Sequence, residues 1–218
     1  MQERTIKEIY QRLLFHQGPS GWWPANSKVE ILLGAILVQN TNWQNAARSL
    51  ENLKVATDFT PKRLCQLSQG EIRDLIRPSG FYQNKSRGIK ELLVFLDNWD
   101  FNYGKIADYY GENLRKVLLQ LHGIGEETAD VLLLYVFDQV VFVADTYARR
   151  LFANLGMNSQ TYRQLANQID LVEFTLTEAQ DFHGQIDEFG KEWLRGKDRF
   201  GESFLADILL IGKKEDHE

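Results

Sequence analysis

The sequence predicts an all-α protein, and three observations carry that expectation. Apolar residues recur at spacings of three and four in segment after segment. Arginine, lysine, leucine and glutamine, all good helix formers, fill those segments. No long linker or low-complexity tract separates them. In chain order the expected helices are 3–16, 27–38, 41–54, 61–68, 71–77, 83–98, 103–109, 112–120, 126–137, 145–155, 159–169, 171–190 and 202–211. Pro61 suits the first turn of its helix, whereas Arg77-Pro78-Ser79-Gly80 stops the one before it. At 218 residues the chain can form one domain or two small ones, with ample core.

The first notable loop is Gly21-Trp22-Trp23-Pro24. Pro24 forces Trp23 into an extended conformation, so the segment presents large rings from a loop. Two readings stay open: a staple between parts of the molecule, or a stacking platform for an aromatic ligand. Next, Ile31 to Val38 reads as a buried helix ending in the polar corner Gln39-Asn40-Thr41-Asn42-Trp43. Arg77 to Arg87 then offers a glycine turn at Gly80 and a new helix with Lys85 and Arg87 in its first turns, a corner of backbone amides with cations nearby.

The stretch from Gln120 to Phe152 organises the rest. Leu121-His122-Gly123-Ile124-Gly125 lets the chain reverse, because glycine accepts positive φ, while Ile124 turns back into the core. From Thr128 onward Ala129, Val131, Leu132, Leu133 and Tyr135 follow helical spacing, so the glycines stand at a helix start. Free amides and the helix dipole make such a place a phosphate seat. The apolar run Gln139 to Ala144 then delivers Asp145-Thr146 to the front of another helix. Asp145 is therefore a helix N-cap, a catalytic carboxylate, or both.

Composition narrows the classes. The chain is 44% apolar with mixed charge, and no apolar run approaches the roughly 18 residues of a membrane span. Its first residues are polar and amphipathic rather than a signal peptide, which implies a cytoplasmic protein with no membrane partner. A net charge of −5 argues against wrapping nucleic acid over a broad surface; such contacts must be local. Cys65 is the only cysteine, so no disulfide or cysteine-ligated metal site can be built within the chain.

Gly123-Ile124-Gly125, Thr128-Ala129 and Val143-Ala144-Asp145-Thr146 together resemble the helix-hairpin-helix of the endonuclease III superfamily of DNA glycosylases. The Gln39 corner resembles that superfamily's Leu-x-x-Gln-x-Thr segment. The Trp-Trp-Pro triplet, Trp43, Arg77 to Tyr82, and Phe182-His183-Gly184 with Glu188 to Lys191 resemble its 3-methyladenine branch. The resemblance implies two helical lobes with a cleft between them. Residues 26–137 would form a six-helix barrel carrying the hairpin; 1–25 and 138–218 would pair into the second lobe. It implies Asp145 as the catalytic residue and Trp22, Trp23, Pro24, Trp43 and Lys191 as the base pocket. Gln39 would enter the gap in the DNA stack. Asn40, Gly80, Lys85, Gly123, Ile124, Gly125 and Thr128 would complete the DNA contacts. The partner would be double-stranded DNA containing a damaged base, bound by a monomer.

Two departures from the superfamily sharpen the chemistry. Many relatives carry a four-cysteine iron–sulfur loop after the last helix, but Gly196 to Gly212 has no cysteine, so no cluster is expected. A monovalent cation at the hairpin carbonyls stays open. Endonuclease III itself has a lysine two residues past the second hairpin glycine, where this chain has Glu127, and a carboxylate cannot form an imine. The expected activity is hydrolysis alone, with Asp145 stabilising an oxocarbenium-like sugar cation and orienting water. Ring-alkylated purines are cationic, leave readily and are attracted to indole faces, so 3-methyladenine is the expected base. Other lesions, a non-catalytic DNA-binding module, and a merely structural hairpin remain as rival readings.

Overall fold

The computed structural model describes residues 5–197 and 199–208. Every regular element among them is helical, with no strand. The chain divides into two compact units, Ala25–Asp138 and Met1–Pro24 with Gln139–Glu218.

In the central unit, helices α2 (Lys28–Leu37), α3 (Trp43–Thr57), α4 (Pro61–Gln66), α5 (Gln69–Leu75), α6 (Tyr82–Asp97), α7 (Tyr103–Tyr110), α8 (Leu114–Leu118) and α9 (Glu126–Tyr135) follow one another. Leu32 to Leu37 are buried without interruption, so α2 is apolar on all sides and packs against α3, α6 and α9. Caps set the starts. Ser27, Asn42, Ser68 and Asn102 each accept an amide hydrogen bond from the first turn of their helix, and Pro61 opens α4 as expected. Arg77–Ser79 form a 3-10 turn, after which Gly80 at φ 64° and Phe81 at φ 44° reverse the chain into α6. The helix expected over 112–120 is shorter, because Gly111–Asn113 wind as a 3-10 turn before α8.

The second unit contains α1 (Ile6–Gln17), α10 (Thr146–Asn154), α11 (Tyr162–Ala166) and α12 (Leu176–Phe189). Its core is aromatic: Tyr10, Phe174 and Phe182 meet one another, and Phe142 packs against Phe152 and Phe182. α12 starts later than its apolar pattern suggests, because Thr175 and Glu178 close a capping box that fixes the first turn at Leu176. α11 covers only the middle of 159–169; Thr161 caps it, and Asn167 ends it. Gly190–Leu194 continue α12 as a π turn. Of the last expected helix, 202–211, the described part is a 3-10 turn at Phe200–Glu202 followed by turns; 209–211, like the first two residues of 3–16, lie outside the described residues. Among the described residues no helix is long and apolar enough to cross a membrane.

Candidate active site and hairpin

α8 and α9 lean on each other through a bidentate pair, Arg115 Nε and Nη2 to the Asp130 carboxylate at 2.6 and 2.9 Å. Between them the turn closes through Ile124 N–H donating to the Leu121 carbonyl. Gly123 is left-handed at φ 73°, where a side chain would be strained. Gly125 is extended instead, so only one of the two glycines is needed for the reversal. Ile124 is buried, as expected. No side chain caps α9 at Gly125, and Glu126 and Glu127 occupy its first turn. Their negative charges oppose the anion-attracting dipole there, which weakens the phosphate seat.

The Gln39 corner is tied to this turn. Gln39 Nε2 donates to the Gly123 carbonyl (3.0 Å) and to Thr128 Oγ1 (2.8 Å). Gln39 is thus a latch on the hairpin in this state. Thr128, expected among the DNA contacts, is buried and serves as the latch's acceptor. Asn40 is exposed at φ 51°. Gln39, Asn40, Phe81, Lys85 and Gly123 line one cavity of about 260 Å³. Lys85 requires correction as well. It is 4% exposed, and its ammonium donates to the carbonyls of Leu37 (2.8 Å) and Ser79 (2.7 Å), pinning the end of α2 to the turn before α6. Burial pushes its pKa down to about 8. A surface cation beside DNA is not what the fold makes of it. Trp43 stands at the first position of α3 and is 38% exposed.

In the other unit Asp145 caps α10, its Oδ1 accepting from Ala148 N–H at 2.7 Å. Its Oδ2 lies 4.0 Å from His183 Nε2. His183 is buried, and desolvation pushes its pKa down to about 4, so the imidazole is neutral at physiological pH. The Asp145 carboxylate thus sits beside an uncharged ring, an arrangement that suits stabilisation of a developing cation. Nothing in the sequence pairs these two residues.

Trp22 and Trp23 are half-buried, with ring centroids 5.3 Å apart, and Pro24 is exposed. The loop bearing them is anchored by Ser20, whose N–H and Oγ donate to Asp181 Oδ1 at 2.7 and 2.9 Å. Gly184 makes room for it, since a Cβ there would stand 2.3 Å from Trp22 Cβ. Lys191 Nζ lies 5.0 Å from the centre of the Trp22 ring and pairs with Asp187. Asp187 offsets this cation, because positions four apart share a helix face. No group of three His, Cys, Asp or Glu side chains able to hold a metal occurs among the described residues.

Residues 33–174 match the family model HhH-GPD, described as HhH-GPD superfamily base excision DNA repair protein. The chain belongs to that superfamily. It is a DNA glycosylase of base excision repair, and DNA is its partner. A Methanocaldococcus jannaschii protein named as a DNA repair glycosylase, itself an inferred activity, is 38% identical over 157 residues, 70% of each chain. Endonuclease III of Sulfolobus acidocaldarius is 31% identical over 138 residues, 62% of this chain and 60% of its own length. Among solved structures, Helicobacter pylori 3-methyladenine DNA glycosylase bound to 1,N6-ethenoadenine superposes with a TM-score of 0.70 at 29% identity, covering 87% of this chain and 98% of that one. A non-covalent endonuclease III–DNA complex superposes at 0.73, and at 19% identity it speaks for the HhH-GPD fold alone.

Proposed function

We propose that this HhH-GPD glycosylase hydrolyses the N-glycosidic bond of alkylated purines, 3-methyladenine foremost, and leaves an abasic site in an uncut strand. The observation that carries the reading is the face of Trp22, on which an ammonium already rests. Indole faces favour cations by ~0.5–2 kcal/mol, and a ring-alkylated purine is a cation and a good leaving group. Such a base needs no general acid, which matches Asp145 facing a neutral histidine. Glu127 removes the amine that lyase chemistry would use, leaving water as the nucleophile. The Helicobacter pylori relative, a 3-methyladenine glycosylase, supports the same branch.

The proposal extends to a monomer acting in the cytoplasm on double-stranded DNA, without an iron–sulfur cluster. Of the hairpin oxygens, Leu121 O already accepts from Ile124 N–H and Gly123 O from Gln39, so a monovalent cation there would share bonded carbonyls. The endonuclease III relatives favour a second reading, an endonuclease III-like glycosylase for another lesion, an oxidised or mismatched base, of which oxidised pyrimidines are the probe. Incubation with methylated DNA and, separately, with DNA bearing oxidised pyrimidines decides between them. We expect 3-methyladenine to be released and neutral oxidised pyrimidines to be retained; the reverse result overturns the proposal.

A further inference from the structure

The contact between Lys191 and Trp22 has the parts of a cation site. Trp22 supplies the ring face and Asp187 the counter-charge, and the ammonium between them belongs to the chain itself. The three parts differ in freedom. Trp22 is fixed by the Ser20–Asp181 anchor and by Gly184 beneath it. The Asp187 side chain is 15% exposed and sits on the last turn of α12. Lys191 is 48% exposed, on a flexible four-carbon stem that starts in the π turn. The cation is therefore the part free to leave.

We infer that Asp187 is a specificity-determining residue that reads the charge of the base, with Lys191 as a tethered cation that an incoming cationic purine displaces from Trp22. This rests on the alkylated-purine reading given above. When Lys191 swings away, a part-buried carboxylate is left without its counter-ion, a place that a cation fills best. A positively charged purine restores the charge pair and the ring contact together. A neutral base that displaces the lysine restores the stacking but leaves the charge of Asp187 uncompensated. Selection by charge then comes from the exchange of one cation for another, not from stacking alone.

The test is equilibrium binding by calorimetry of two small ligands to the intact protein: the permanently cationic 3,9-dimethyladeninium and the neutral 9-methyladenine. Wild type is expected to prefer the cation by about tenfold, within the range of a cation–π contact plus a counter-charge. Asp187→Asn, nearly isosteric, should lower that ratio severalfold, leaving only the preference of the Trp22 face, while the thermal midpoint stays near that of wild type. Lys191→Met, at an exposed position and with the stem retained, should tighten the cationic ligand severalfold by removing its competitor. An unchanged ratio in Asp187→Asn, or weaker cation binding in Lys191→Met, overturns the inference, as does no preference in wild type. Base release from methylated DNA by the same wild-type preparation is scored separately. Absence of release there sinks the alkylated-purine reading, whereas release combined with an unchanged ratio in Asp187→Asn sinks only the role of Asp187.

Discussion

One oxygen of Asp145 caps a helix while the other faces an uncharged imidazole, so its two roles are carried by different atoms. Asp145→Asn keeps an oxygen for the cap and loses the charge. It should therefore retain affinity for DNA carrying an abasic-site analogue while base release falls by about 10²-fold or more. Release at the wild-type rate in a single-turnover assay would remove Asp145 from catalysis. His183 makes a prediction of a different kind. Its folded pKa of about 4 lies below the ordinary 6.5, so the unfolded chain takes up the proton first. Its contribution is complete above about pH 6.5 and is lost as the pH falls toward 4, on the order of 3 kcal/mol in all. Urea midpoints of wild type and His183→Gln, measured from pH 7.5 to 4.5, should converge as the pH falls. A difference that stays constant with pH would contradict the neutral, buried imidazole.

Among the elements, the approach of α6 to the hairpin is the most exacting. A Cβ at Gly88 would stand 2.6 Å from the His122 carbonyl oxygen, and Glu91 on the same helix accepts the His122 N–H at 2.8 Å. The hairpin backbone is thus held against α6 on both sides of one residue. Alanine in a helix gains about 1 kcal/mol over glycine, but overpacking against fixed backbone costs about 1–3 kcal/mol. Gly88→Ala should therefore lower stability by a net of up to ~2 kcal/mol in urea unfolding. Gly104→Ala in α7, where a Cβ meets only Asn102 Oδ1 at 3.7 Å, should be neutral or stabilising. Equal behaviour of the two variants would show that the close approach is soft.

For the molecule as a whole, a net charge of −5 and two carboxylates in the first turn of α9 make DNA binding a matter of a few placed groups. The same Glu127 governs the product. Borohydride reduction during turnover should trap no covalent protein–DNA adduct, because a carboxylate forms no imine. An efficient trapped complex would mean that another amine, with Lys191 the first to mutate, does lyase chemistry.

The sequence by itself determined what chain-local physics can determine. Period-3.6 apolar spacing and the proline at Pro61 announced the helices, and the glycine at Gly123 and the aspartate at Asp145 announced the hairpin and the helix start that carries the carboxylate. Length errors arose where a cap competed with the apolar pattern, as at Thr175, since one reciprocal capping box outweighs a few apolar positions. Tertiary structure alone decided which side chains meet. Lys85 looked like a surface cation because helix position gives no burial by itself; the end of α2 and the Ser79 carbonyl turned it inward. Gln39 found Thr128, and His183 found Asp145, across long stretches of chain. Trp22, Lys191 and Asp187 come from opposite ends of the sequence. Such pairs depend on how helices pack, and packing is set by the summed shape of many side chains, which no local pattern records.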